Sequence, residues 1–206
     1  MGSMDAMIQT RAFLLVLLVA TVLCGPRPAA AQPVPDKPAP QAAPINSVAV
    51  KDRLFARLMA AQTPAEARLI ADKIQRQWQY SGSDTVDLLS RRAAMALTQN
   101  DAALSMELLD RMIALKPDWS EAYFQRALVF LLLDDQSRAV ADIGRVLQKE
   151  PRHYIAMLTL AALLQKQEQK KPAYDLYQEV LRFYPLNETA QTQSERLKTD
   201  VRGRDL

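Results

Sequence analysis

His153 and Cys24 are the chain's single histidine and single cysteine, which leaves little for catalysis or metal binding to use. A zinc site built from imidazole and thiolate lacks ligands. A Ser-His-Asp or Cys-His relay would have to run through His153. That residue follows Pro151-Arg152 at a helix start, where a lone histidine reads as a surface or capping residue. Asp134-Asp135 is a carboxylate pair, but general acid–base chemistry needs carboxylates converging on a cleft in opposed environments. This pair falls in a turn between two helices, so capping explains it better. Gly2, Gly25, Gly82, Gly144 and Gly203 never cluster, so no glycine-rich phosphate loop exists. Arg91-Arg92 and Lys170-Lys171 are short and separated, hence solvated faces and not a phosphate track. The balance of 26 basic against 23 acidic residues, a net charge of +3, does not suit a nucleic-acid binder. The expectation is a protein without enzymatic activity, cofactor, metal or nucleic-acid partner.

The N-terminal part reads as address and tether. Residues 13–25, FLLVLLVATVLCG, are too short to span a bilayer, which takes roughly 20 apolar residues. Arg11 precedes them, and Ala29-Ala30-Ala31 follows in A-x-A form. Together they describe a signal peptide over 1–31, cleaved after Ala31. Met1, Met4 and Met7 all offer a start. Cys24 follows Leu23, where a lipidation site would need a small residue. The short apolar run and the A-x-A site suit bacterial export, so the periplasm is the expected location. An uncleaved segment, anchoring the chain to the membrane, is the alternative. Seven of the twelve prolines lie in 26–44, and proline withholds an amide donor and fixes φ. Residues 32–46 therefore read as a disordered, proline-rich spacer.

From Ser47 onward apolar residues recur three and four apart, and no segment alternates with period two. Nine helices fit, near 48–61, 64–80, 84–99, 101–115, 119–132, 135–149, 153–167, 170–183 and 187–200. Thr63-Pro64-Ala65-Glu66 carries a cap, a proline for the first turn and a capping-box glutamate. Asp118-Trp119-Ser120-Glu121 marks another start. Short connectors make consecutive helices antiparallel.

Pro117, Pro151 and Pro185 stand 34 residues apart, and the positions between them agree. Ala93, Ala127 and Ala161 share one register; Ser105, Ala139 and Ala173 another. Leu109, Ile143 and Tyr177 share a third, and Met112, Val146 and Val180 a fourth. Small residues fall where two helices of a pair touch, large ones where the next helix covers them. This period and pattern resemble the tetratricopeptide repeat (TPR) family. The resemblance implies an all-α solenoid of stacked antiparallel helix pairs. Its units are 84–117, 118–151 and 152–185, with a repeat-like pair over 47–83 in front. A capping helix and tail over 186–206 follow, with Glu188, Glu195, Arg196, Lys198 and Asp200 on a polar outer face. Trp78, Tyr80 and Trp119, near helix ends, read as packing residues.

The resemblance also implies a concave face lined by the first helix of each pair. Carried over by position, its residues are Asp87, Ser90, Ala94 and Leu97; then Glu121, Phe124, Gln125, Leu128 and Leu131; then Ile155, Leu158, Thr159 and Ala162. Members that grip a C-terminal carboxylate use Lys, Asn and Arg there. Ser90, Ala94, Gln125, Ile155 and Thr159 depart from that pattern. The candidate binding residues are therefore the apolar set Phe124, Gln125, Leu128, Leu131, Ile155 and Leu158. What the resemblance implies is a protein–protein interaction module docking an unknown peptide or partner. Coverage of that face by the leading pair or the proline-rich segment, or a register shifted by one that makes these residues core, stays open. Self-association and carriage of a hydrophobic ligand are the alternative uses of the same groove.

Overall fold

The computed structural model describes residues 47–202. The stretches read from the sequence as a signal peptide (1–31) and a proline-rich spacer (32–46) lie outside the described residues. The elements, all helices among the described residues, are α1 (Ser47–Ala60), α2 (Pro64–Gln79), α3 (Asp84–Thr98), α4 (Ala102–Leu115), α5 (Ser120–Leu132), α6 (Gln136–Lys149), α7 (Tyr154–Lys166), α8 (Lys170–Phe183) and α9 (Glu188–Arg202). None of them is long and apolar enough to cross a membrane.

The 34-residue period is visible in the turns. Asn100, Asp134 and Glu168, each two residues past the end of α3, α5 or α7, all have positive φ, between 58° and 61°. Beside each, the next amide reaches back five residues: Asp101 N–H to Ala96 O, Asp135 N–H to Phe130 O, Gln169 N–H to Leu164 O. This is the Schellman closure, which satisfies the last carbonyls of a helix. Asp101 and Asp135 then cap α4 and α6, accepting from Leu104 N–H at 2.9 Å and Arg138 N–H at 3.0 Å. Asp134-Asp135 is thus a turn device, as its position in the sequence indicates. At the start of α2, Thr63 accepts from Glu66 N–H, while the Glu66 carboxylate takes the Gln62 N–H instead of closing the box on Thr63.

The repeated apolar registers form the core. Ala93, Ala127 and Ala161 are at most 2 % exposed, and Ser105, Ala139 and Ala173 are fully buried. At these points the backbones of α3–α4, α5–α6 and α7–α8 approach closely, and only small side chains fit. Leu109, Ile143, Tyr177, Met112, Val146 and Val180 fill the space between pairs. Burying each such large side chain stabilises by roughly 1.5–3 kcal/mol. Arg126 on α5 adds a polar bridge between pairs. It grips Asp142 of α6 with two hydrogen bonds, at 2.7 and 2.8 Å, and Asp110 of α4 with a third at 2.7 Å.

The leading hairpin α1–α2 departs from expectation. A pair stacked in front would bury its apolar stripe against α3–α4. Instead Phe55, Leu58, Ile70, Ala71, Ile74 and Trp78 share one core with Tyr154, Met157, Val180, Phe183, Tyr184 and Leu197 of α7, α8 and α9. The hairpin lies across the turns where one helix pair passes to the next. Lys116 donates to Ser81 O, Trp119 Nε1 to Trp78 O at 2.8 Å, and Tyr154 Oη to Ala71 O at 3.1 Å. Ion pairs Lys51–Glu150, Asp52–Arg152 and Arg68–Glu188 follow the same line. The physical reason is the amphipathic stripe of α1 and α2, which must be covered. The linker Tyr80–Ser83, with Gly82 at φ +74°, turns the chain enough to reach those turns.

Candidate functional site

The face formed by α3, α5, α7 and α9 carries three adjoining clefts. Cleft one is lined by Arg76, Gln79 and Tyr80 from the end of α2, by Asp87, Ser90, Arg91 and Ala94 from α3, and by Gln125 from α5; it holds about 480 Å³. Cleft two, about 450 Å³, is lined by Leu131 of α5 and by Ile155, Leu158, Thr159, Ala162, Leu163 and Lys166 of α7. Cleft three, about 530 Å³, continues from Leu158, Ala162, Gln165 and Lys166 to Tyr177 and to Thr189, Gln193 and Arg196 of α9. Clefts two and three share Leu158, Ala162 and Lys166, and clefts one and two both reach α5, at Gln125 and at Leu131, so together they line one face.

Of the six candidate residues, Gln125 lines the first cleft and Leu131, Ile155 and Leu158 the second. The Ser90 hydroxyl donates to Gln125 Oε1 at 3.1 Å, joining α3 to α5. Leu128 is 43 % exposed on α5 between Gln125 and Leu131. Phe124 does not open to solvent. It is buried, with its ring centroid 4.9 Å from that of His153. Glu121 is buried as well. Phe124 packs into the core of α5, α6 and α7 with Ala127, Ile143, Val146 and Ala156, while Glu121 lies beside His153, over which Trp78 closes. The leading pair thus covers one end of the expected groove and leaves the rest open.

His153 sits under that closure, fully buried. Its Nδ1 accepts from Ala156 N–H at 3.2 Å, capping α7, so the neutral ring carries its proton on Nε2. Nε2 makes no hydrogen bond and lies 3.5 Å from Glu121 Oε2. The capping role is as expected, but the surface position is not. Trp78 and Trp119 pack as expected, whereas Tyr80 is 61 % exposed and lines the first cleft. The face carries apolar side chains, amides, hydroxyls and cations, with Asp87 as the carboxylate lining the three clefts. No grouping of three or more metal-ligating side chains occurs among the described residues.

Sequence reasoning missed the cations and the contribution of α9. Arg196 occupies the register of Ala94, Leu128 and Ala162, one period further on, so the repeat itself would have pointed to it. Lys166 stands four residues beyond Ala162, on the same helical face. Nothing in the repeat points to Arg76, which only the fold of the hairpin brings to the groove.

Helix pairs repeating every 34 residues, closed by the same turn and presenting a face of first helices, define an α-solenoid of the helix–turn–helix repeat class. No family model matches the chain. A TPR repeat-containing protein of Rhizobium etli is 33 % identical over 152 residues, covering 74 % of this chain and 74 % of that protein. Among solved structures, the first TPR of Spaghetti (RPAP3), bound to an HSP90 peptide, superposes with TM-score 0.52 at 15 % identity. That match covers 58 % of this chain and 94 % of the other. The Arabidopsis OM64 TPR domain superposes with TM-score 0.51 at 19 % identity, covering 57 % and 97 % of the two chains. The chain belongs to the TPR repeat family.

Proposed function

We propose that the protein is a non-enzymatic adaptor that docks a peptide or a partner protein along the groove of α3, α5, α7 and α9. The observation that carries this reading is the half-exposed apolar wall of Leu131, Ile155 and Leu158 in a cleft of about 450 Å³. An open apolar surface with polar ends suits a protein segment. TPR units present such surfaces without performing chemistry. In this reading residues 1–31 direct export, cleavage follows Ala31, residues 32–46 form a spacer, and the protein works in the periplasm. The repeat boundaries are 84–117, 118–151 and 152–185, with 186–206 as the cap.

The test is crosslinking followed by capture from the periplasm, with the natural chain beside a Leu128→Glu/Leu158→Glu variant whose circular dichroism matches it. Phe124 is left alone, because a charge there would unfold the core. A protein captured by the natural chain and lost with the variant supports docking in the groove. Equal capture by both moves the site to the outer helices. Self-crosslinks that vanish in the variant would replace the adaptor reading with self-association through the same face. A lipid extracted by organic solvent from the natural chain alone would replace it with hydrophobic-ligand carriage.

A further inference from the structure

Cations without a carboxylate partner occur in the groove and also outside it, at Arg57, Lys73, Arg92, Arg111 and Lys171; what sets the groove apart is how little negative charge stands beside them. Lys51, Arg68, Arg126, Arg138, Arg145 and Arg152 each hold a carboxylate of this chain. Arg76 and Arg91 in the first cleft, Lys166 in the second and third, and Arg196 in the third hold none. All four are exposed, and none makes a hydrogen bond among the described residues. The groove supplies almost no negative charge to offset them. Helix α7 contains no Asp or Glu. On α9, Glu188 is engaged by Arg68 and Glu195 by Lys198. Asp87, the one carboxylate lining the three clefts, accepts the Ser81 N–H at 3.1 Å and so holds the hairpin linker.

The groove is therefore cationic at its α2–α3 end and at its α7–α9 end, with the apolar wall of Leu131, Ile155 and Leu158 between. The lining passes from α3 to α5, from α5 to α7 and from α7 to α9, so an occupant of the whole face crosses four helices in turn. Resting on the reading of this face as a docking groove, we propose that its ligand is an extended peptide segment. That segment is acidic at both ends and apolar in the middle. Two of the four cations come from elements that flank the repeated pairs: Arg76 from the hairpin and Arg196 from the last helix. Both hairpin docking and the cap are thereby part of the recognition surface. Unpaired cations facing a low-dielectric wall attract and orient such a segment, and like-charged segments are repelled.

The test is selection of a random nonapeptide display library on the full chain. The same library is selected on an Arg76→Glu/Arg91→Glu/Lys166→Glu/Arg196→Glu variant and on Leu158→Glu. All five positions are at the surface or half-buried, and circular dichroism checks each variant. The expected pool on the natural chain carries Asp and Glu at both ends and apolar residues between. Its members bind the charge-reversed variant more weakly, by about tenfold or more, and that variant selects Lys and Arg instead. A pool without acidic enrichment, unchanged by charge reversal yet lost with Leu158→Glu, overturns the charge assignment and leaves groove docking standing. A pool indifferent to all the substitutions, or no enrichment at all, overturns both.

Discussion

The indole of Trp78 lies flat on the imidazole of His153, ring centroids 4.0 Å apart and planes 13° from parallel. One residue belongs to the leading hairpin and the other caps α7. Their contact is the clasp that holds α1–α2 across the inter-pair turns. Trp78→Ala should cost about 3–5 kcal/mol, the range for emptying a buried aromatic site. The loss should be local. Hydrogen exchange should speed over residues 47–79 well before it does over α3–α6. Uniform loss of protection through both regions would show that the hairpin and the repeats unfold as one unit.

Ala127 sits 1 % exposed where α5 meets α6. Ala127→Trp should abolish cooperative melting, because a close helix contact has no room for an indole. Ala94→Trp, at an exposed position on α3, should melt like the natural chain. Equal melting of Ala127→Trp and the parent would place the register of the small residues elsewhere.

Asp142 is 1 % exposed at its side chain and shares its two oxygens between Arg126 and Arg145. Arg126 in turn spans α4, α5 and α6. Its guanidinium is held charged well beyond the ordinary range, chiefly by the Asp142 hydrogen bonds and against burial. Asp142→Ala leaves that cation without its main partner and should destabilise by about 3–5 kcal/mol in urea. Arg126→Met together with Asp142→Leu should cost much less, because neither charge then remains. A double variant as unstable as Asp142→Ala would mean that packing and not charge sets the loss.

Burial pushes the Tyr154 phenol well above the ordinary value of 10, and the neighbouring Tyr184 and Asp72 act in the same direction. Tyr184 and Tyr177 are raised too, mainly by burial. A raised value means that the unfolded chain loses these protons first as pH climbs. Their contribution is therefore complete below pH 10 and falls as pH rises beyond it. The melting temperature should drop steeply above pH 10, and Tyr154→Phe should flatten that drop. At neutral pH Tyr154→Phe also removes the bond to Ala71 O, at a cost of about 1 kcal/mol. Parallel alkaline profiles for the two proteins would assign the drop to other groups.

Much of the architecture was readable before any coordinates. Apolar spacing placed every described helix, and Thr63-Pro64 marked the start of α2. The turn at Asp134-Asp135 was recognisable because capping depends on residues next to one another in the chain. The alanine register worked for a related reason. In a stacked array the partner of a residue lies within its own pair or in the next, so the packing partners recur at a fixed interval. Even Arg196 lay within reach of that rule, one period beyond Ala162.

The hairpin obeyed no such rule, because it does not repeat. Its sequence required that the stripe of Phe55, Ile70, Ile74 and Trp78 be covered, but not by what. Hydrophobic burial is non-directional, and only the tertiary fold chose the turns at Trp119, His153 and Tyr184 over the outer side of α3–α4. That choice closed Trp78 over the capping residue His153 and carried Arg76 to the mouth of the groove, while Phe124 is buried by the repeats themselves. Periodic local chemistry thus determined the helices, their pairing and the small-residue contacts. Long-range packing of a non-repeating element decided which part of the groove is closed, which is open, and what charge it bears.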